Sequence, residues 1–235
     1  LIHVFFSERE VAKIPDVPRD TATSNIESAA VIGCGTMGGG ITMCFANAGI
    51  AVTVLEMNQE ALDRGLGVIK RNYDIQVSRG RMTDTDVDAR MSLITGTLQY
   101  ADLARADVIV EAIYENIDVK VETFKKIDEI AKPGAILASN TSGLDIDRMA
   151  EATSRPGDVI GLHFFSPANI MRLLEVVRGK DTDKTTIATS MKLAKTLGKI
   201  AVLSGNAPGF IGNRMLAGYT RQAGEIILQG ATPYQ

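Results

Sequence analysis

Between residues 28 and 205, short apolar runs alternate with longer stretches of helical period, and this alternation leaves few folds open. The runs lie at 29–32, 51–55, 108–110, 136–138, 159–162, 173–177 and 200–203. They are too short for helices and have the near-continuous apolar character of strands covered on both faces. Between them, apolar residues recur at helical spacing at about 37–48, 59–78, 117–131, 145–152 and 183–197. Strands that alternate with helices predict parallel βαβ units, with helices on both faces of one sheet. One place departs from the rule. Only a short segment separates 159–165 from 171–177, so these two runs are expected to form an antiparallel pair ending the sheet.

The first joint of this pattern reads Ala29-Ala-Val-Ile-Gly33-Cys-Gly35-Thr36-Met37-Gly38. A GxGxxG string alone is weak, but here a strand run precedes it, a helical run follows it, and Glu56 ends the next strand run about 20 residues on. The glycines serve different ends. Gly33 permits a tight turn, Gly35 close approach to a pyrophosphate, and Gly38 packing of the helix against the strand. The pyrophosphate is expected beside Thr36 and Met37, at the positive end of the helix that begins near Met37. A carboxylate at Glu56 accepts hydrogen bonds from the adenosine ribose and repels a 2′-phosphate. The residues that follow, Met57 and Asn58, bring no arginine, so NAD is expected rather than NADP. The plain alternative is a glycine turn closing an ordinary βα unit. FAD shares the fingerprint, but nothing later in the chain suggests a flavin. The expected fold is therefore α/β, a Rossmann-like doubly wound sheet.

Three parts are expected along the 235 residues: a leader at 1–26, an NAD-binding domain at 27–205, and the start of a helical domain at 206–235. The leader holds a helix-compatible stretch up to Lys13, broken by Pro15 and Pro18. The last part reads as one long amphipathic helix over 206–229, opened by Pro208, and a single such helix cannot bury its own face. It is expected to be the first helix of a truncated all-α domain, and the whole chain to be an interior piece of a longer polypeptide. The net charge of −3 and the absence of any Lys/Arg block give no reason to expect nucleic acid as a partner. No apolar run approaches the roughly 20 residues that span a bilayer. The two cysteines, Cys34 and Cys44, have neither a disulfide framework nor metal-ligand spacing, so two buried thiols and no metal are expected.

Of the two histidines, His3 lies in the leader, whereas His163 ends the strand run 159–162. Ligands of open α/β sheets sit beyond the carboxyl ends of the strands, where such a histidine can exchange a proton with an alcohol. The segments Ser139-Asn-Thr-Ser-Gly143, Gly161-Leu-His-Phe-Phe-Ser-Pro167, Met171-Arg-Leu-Leu-Glu-Val-Val177 and Ala207-Pro-Gly-Phe-Ile-Gly-Asn-Arg214 resemble the signature segments of 3-hydroxyacyl-CoA dehydrogenases. The likeness runs over roughly 28–230. The leader, with Val4-Phe-Phe-Ser-Glu-Arg-Glu10 and Ala12-Lys-Ile-Pro15, is similar to the segment joining the two halves of multifunctional β-oxidation proteins, as is Ser166-Pro167 after the histidine.

The resemblance implies NAD-dependent oxidation of 3-hydroxyacyl-CoA to 3-ketoacyl-CoA, with His163 as general base and Glu175 orienting its ring. A carboxylate within an apolar run is costly to bury without such a partner. The resemblance further implies that Ser142 and Asn213 position the substrate oxygen, and that Asn140, Glu115 and Lys120 lie near the nicotinamide end of the cofactor. Glu115 and Lys120 would bind the nicotinamide ribose and carboxamide groups; an ordinary charged helix start is the alternative for both. It also implies acyl-CoA as partner, a dimer or larger assembly in the parent protein, and a bacterial cytoplasm or, in a eukaryote, a peroxisome. Arg71, Arg79 and Arg81 could meet CoA phosphates, although a solvated basic face is their default reading. Tyr114 is expected to pack inside. The competing functions are another two-domain NAD-dependent dehydrogenase, of the kind with a catalytic lysine, and a non-catalytic NAD-binding module.

Overall fold

The computed structural model describes residues 2–11 and 13–232. Among the described residues, eight strands form one sheet in the order β3-β2-β1-β4-β5-β6-β7-β8. These are β1 (Ser28–Ile32), β2 (Ala51–Leu55), β3 (Ile94–Thr97), β4 (Val108–Glu111), β5 (Ile136–Ser139), β6 (Val159–Phe164), β7 (Leu173–Arg178) and β8 (Ile200–Gly205). Every neighbouring pair is parallel except β6 with β7. The helices are α1 (Ile2–Glu10), α2 (Thr36–Asn47), α3 (Gln59–Ser78), α4 (Asp84–Met91), α5 (Ile117–Ile130), α6 (Ile146–Ala150), α7 (Lys184–Thr196) and α8 (Gly212–Leu228).

Successive strand residues point to opposite faces, so each strand feeds two cores. One gathers Val31, Ile41, Phe45, Val54, Val110 and Leu162 under α2, α3 and α7. The other gathers Ile32, Ile109, Phe124, Leu137, Met149 and Val177 under α5 and α6. The helix starts are written locally. Asn58 caps α3, Asn116 caps α5, and Thr83 with Asp86 forms a reciprocal capping box on α4. Asp107, at the head of β4, accepts from the Glu27 and Ser28 amides and the Ser28 hydroxyl, and pairs with Lys132 at 2.6 Å. Burial alone would raise this carboxyl, but the four donors outweigh it and hold it down at about 2.

Three expectations need correction. The antiparallel pair does not end the sheet, because β8 runs beside β7 in parallel and forms the edge. A strand that the apolar pattern does not show, β3, forms the other edge. Its Ile94-Thr-Gly-Thr97 sequence offers little apolar run because an edge strand is only half covered. The last helix starts at Gly212 rather than at Pro208. Gly209 (φ 71°) and Phe210 (φ 48°) hold a left-handed backbone that breaks any helix before it, and Phe210 is driven there by burial of its ring. Within the leader, α1 covers Ile2–Glu10, and Leu1 and Ala12 lie outside the described residues. No residue of α1 or α8 is buried, and Met215, Leu216, Tyr219, Ile226 and Ile227 of α8 are exposed.

Candidate active site

The carboxyl ends of β1, β2, β4, β5 and β6 open on one edge of the sheet, and the turn between β1 and α2 divides that edge into two hollows. Gly33 takes φ 96°, and a Cβ there would lie 2.8 Å from the Ala112 carbonyl oxygen. A Cβ on Gly38 would lie 1.9 Å from the Gly33 oxygen, so only glycine lets α2 leave the strand this closely. A Cβ on Gly35 would meet nothing within 4 Å. The turn is therefore pinned by two glycines and open above the third, where α2 presents the first-turn amides from Thr36 onward, which a helix start cannot pair internally. This is a cradle shaped for an anion.

On one side of the turn, a hollow of about 450 Å³ is lined by Cys34, Gly35, Thr36, Glu56, Arg64 and Asn72 among others. Glu56 stands at the end of β2, where its carboxylate accepts the Cys34 N–H at 2.6 Å and the Met57 N–H at 3.1 Å. It thus ties the second strand to the glycine turn. Cys34 is buried, and that burial, with the Glu56 charge adding to it, pushes its thiol up to about 11. Cys44 is likewise buried, and its thiol is raised by the same cause.

On the other side, a hollow of about 380 Å³ is lined by Met37, Glu115, Asn140, Ser142, His163, Phe165 and Asn213 among others. His163 and Glu175 are register partners across the antiparallel strands β6 and β7. Cross-strand neighbours on one face point the same way, which brings Nδ1 of the imidazole to 2.7 Å from Oε2 of Glu175. Both side chains are buried, so the carboxylate relies on donors from the protein. Its second oxygen accepts the N–H groups of Ile211 at 3.1 Å and Gly212 at 2.7 Å. With Nδ1 given to the carboxylate, Nε2 is the ring nitrogen left for the hollow. Phe165 and Phe210 pack on the ring, with centroids 4.5 and 5.7 Å away.

A second polar group fills the floor between β4 and β5. Glu111 is fully buried. Its Oε1 accepts from Lys120 at 2.6 Å and the Ile113 N–H at 2.8 Å, and its Oε2 accepts from Ser139 at 2.6 Å. Lys120 reaches on to Glu115 at 3.3 Å and to the Ile113 carbonyl at 3.4 Å. Glu115 accepts the Thr141 hydroxyl at 2.7 Å and both the N–H and hydroxyl of Ser142 at 2.8 and 3.0 Å. Burial by itself would raise the Glu115 carboxyl, but the Thr141 and Ser142 hydrogen bonds and the Lys120 charge together hold it below the usual carboxylate range. Ser142 spends its one proton on Glu115 and so offers lone pairs to the hollow. Asn140 accepts the Phe164 N–H at 2.9 Å, and Asn213 donates to the Ser142 carbonyl at 3.2 Å.

The structure thus brings His163, Glu115, Asn140, Ser142 and Asn213 to one hollow, with Glu175 directly behind the histidine. Lys120 lies beneath this hollow: its side chain is 1% exposed, it is ion-paired with Glu111 at 2.6 Å and Glu115 at 3.3 Å and donates to the Ile113 carbonyl at 3.4 Å, so it holds Glu115 in place from below. Tyr114, expected inside, is 79% exposed because the turn ahead of α5 leaves it pointing away from the core. Glu111 is not singled out by the sequence pattern above, although a signal exists. It ends the apolar run Val108-Ile-Val110 as Glu56 ends its own, and a carboxylate so placed needs a buried partner. Arg79 and Arg81, with Arg90, line a separate hollow of about 310 Å³ under α3. Among the described residues, no group of three or more His, Cys, Asp or Glu is placed to hold a metal, and no helix is long and apolar enough to cross a membrane.

Residues 28–207 match the family model described as the 3-hydroxyacyl-CoA dehydrogenase, NAD binding domain. The chain belongs to this family. Membership makes NAD the cofactor. Two hollows flank the turn, one lined by Glu56 and the other by the His163 cluster.

The peroxisomal bifunctional enzyme of Danio rerio is 41% identical over 243 residues, an alignment covering 100% of this chain and 33% of the relative. The chain spans about a third of the length of the curated relatives it matches. The crystal structure of (S)-3-hydroxybutyryl-CoA dehydrogenase from Ralstonia eutropha superposes with a TM-score of 0.87 at 36% identity, covering 89% of this chain and 75% of that one. The dehydrogenase part of a multifunctional enzyme from C. elegans superposes with a TM-score of 0.79 at 29% identity, covering 100% of this chain and 56% of that one.

Proposed function

We propose that this chain is the NAD-binding and proton-transferring part of an enzyme that oxidises 3-hydroxyacyl-CoA to 3-ketoacyl-CoA in fatty-acid β-oxidation. The observation that carries the reading is the buried His163–Glu175 pair, whose free nitrogen faces the hollow beside the glycine cradle. The names of the relatives, a bifunctional enzyme and a 3-hydroxybutyryl-CoA dehydrogenase, support it.

NAD, when bound, supplies the acceptor for the hydride that leaves C3 of the substrate. The residues handle the proton and the geometry. The substrate O–H bond breaks, its proton passes to Nε2 of His163, and the resulting imidazolium rests on the Glu175 carboxylate, which also fixes the tautomer. In the reverse direction His163 returns the proton. Ser142, whose own proton is directed at Glu115, lines the same hollow and positions the substrate oxygen, whose single proton is directed at Nε2. Asn213 closes the same side through the Ser142 carbonyl. Glu115, steadied by Lys120, and Asn140 hold the nicotinamide end; Gly33, Gly35, Gly38 and the amides from Thr36 and Met37 hold the pyrophosphate; Glu56 holds the adenosine ribose. The catalytic-lysine alternative is disfavoured, because the lysine beside the hollow, Lys120, is locked between two carboxylates.

The domain limits proposed are 1–26, 27–205 and 206–235. A helical domain of the parent protein would cover the exposed face of α8 and complete the acyl-CoA cleft and an oligomer contact. The setting proposed is a bacterial cytoplasm or, in a eukaryote, a peroxisome, and the relatives include both bacterial fatty acid oxidation subunits and peroxisomal enzymes.

The test has two stages. NADH titration, followed by the blue shift and enhancement of its fluorescence with NADPH as control, is expected to show saturable binding of NADH alone. Reduction of acetoacetyl-CoA, measured beside a longer form of the protein, is expected to be slow in this chain. In the longer form, His163→Gln is expected to lower the rate roughly 100- to 10,000-fold. Retained turnover in His163→Gln would remove the histidine from the mechanism.

A further inference from the structure

We infer that the start of α8 is a positioning element of the proton-transfer pair: the backbone amides of Ile211 and Gly212 set the Glu175 carboxylate, and through it the tautomer and angle of His163. This rests on the reading of His163 as the base, but it concerns groups which that reading does not use.

Three observations converge on this turn. First, Oε1 of Glu175 takes both amides, at 3.1 and 2.7 Å, while Oε2 takes the imidazole, so the carboxylate plane is fixed from both ends. These amides open a 17-residue helix, whose positive end also favours the ionised carboxylate. Second, the turn is wedged rather than laid down. Phe210 is buried at φ 48° against the imidazole, and a Cβ on Gly212 would meet the Phe165 ring at 2.9 Å. A Cβ on Gly143 would lie 2.9 Å from the Gly209 nitrogen, so the same turn also presses on the Ser142 loop. Third, no residue of α8 beyond the turn is buried. What seats the amides is the turn alone, and whatever moves α8 moves the far support of the pair. Glycine at 212 is thereby explained by the fit under Phe165 and not by its backbone angle.

The consequence is spectroscopic. The chain has two histidines, and His3 is exposed in α1, so one buried imidazole remains to be observed. Proton and nitrogen NMR of the unmodified chain is expected to show a low-field, slowly exchanging Nδ1–H of His163 and a single tautomer. Gly212→Ala is expected to broaden or lose that signal while NADH binding stays within about twofold, because the glycine cradle lies on other strands. Gly218→Ala, on the same helix with nothing within 4 Å of its added carbon, is expected to change neither.

If Gly212→Ala does not fold, an ester in place of the 211–212 peptide bond, introduced by joining a synthetic C-terminal segment, deletes the N–H without adding an atom. The same loss is expected there. An unchanged signal in that ester overturns the inference. A wild-type spectrum without the Nδ1–H overturns both this and the base assignment, whereas a wild-type signal lost on His163→Gln but kept in the ester leaves the base assignment standing alone.

Discussion

The two hollows flanking the glycine turn hold charge by different means. On the Glu56 side the holding groups are mostly backbone, glycines that exclude a Cβ and first-turn amides, joined by the single carboxylate of Glu56 braced on the Cys34 N–H. On the His163 side they are side chains, with Glu111, Glu115 and Glu175 each satisfied by three or more donors. The difference suits the proposed function. A pyrophosphate would stay anionic throughout, so fixed dipoles would suffice for it. A transferred proton would change the charge of its acceptor, and a carboxylate beside that acceptor would have to be held still. Steric fit guards one side and hydrogen-bond saturation guards the other.

Substitutions can separate the two regimes. Gly38→Ala should have the largest effect, because a Cβ 1.9 Å from a backbone oxygen cannot be absorbed by any side-chain movement. Saturable NADH binding is expected to vanish in fluorescence titration; binding within tenfold of wild type would mean that the turn is less tightly determined than its geometry shows. On the other side, Glu111→Gln leaves Lys120 buried with one carboxylate fewer, and the loss expected from denaturant unfolding is about 3 kcal/mol. NADH affinity should fall far less than stability. A variant as stable as wild type would show that Glu115 alone can balance the lysine.

Glu56→Gln tests the one carboxylate lining its hollow. It should weaken NADH about tenfold and narrow the gap to NADPH, since the repulsion of a 2′-phosphate goes with the charge. If the preference is untouched, it resides in the backbone. The smallest effect is expected at the foot of the sheet, far from either hollow. The Asp107 carboxyl is held at about 2, below its unfolded value near 4, so its contribution is complete above pH 4 and is lost as pH falls through about 2. Asp107→Asn should cost about 1–2 kcal/mol at pH 7 and should flatten the acid limb of stability between pH 4 and 2. An unchanged acid limb would assign that limb to other carboxylates.

The parallel sheet and its helices are legible in the sequence because both signals are local. Buried strands read as unbroken apolar runs, and amphipathic helices repeat at their own period, so α2, α3, α5 and α7 fall within two residues of the expected limits. The edge strand β3 is not legible, since Thr95 and Gly96 carry no apolar signal and the strand exists only by pairing with β2. The start of α8 is misplaced for a related reason. Pro208 is a good helix opener, but the turn is decided by burial of Phe210 and by Glu175, 36 residues away from Ile211 in sequence.

At the site, residue types are readable and their roles less so. His163 and Glu175 stand out as polar groups on apolar strands. Lys120 carries nothing in its neighbourhood to say that its ammonium turns inward, because that depends on Glu111, which lies on another element.

Cys34 turns the glycine joint into a clock. With its thiol raised to about 11, only about one molecule in ten thousand carries the reactive thiolate at pH 7. The sulfur is also hemmed in by α3, where a Cβ at Gly65 would stand 2.4 Å from it. An alkylating reagent therefore waits for the strand–turn–helix joint to open, and its rate counts openings rather than collisions. If NAD rests on the same joint, as proposed, each bound molecule should stop the count for as long as it stays.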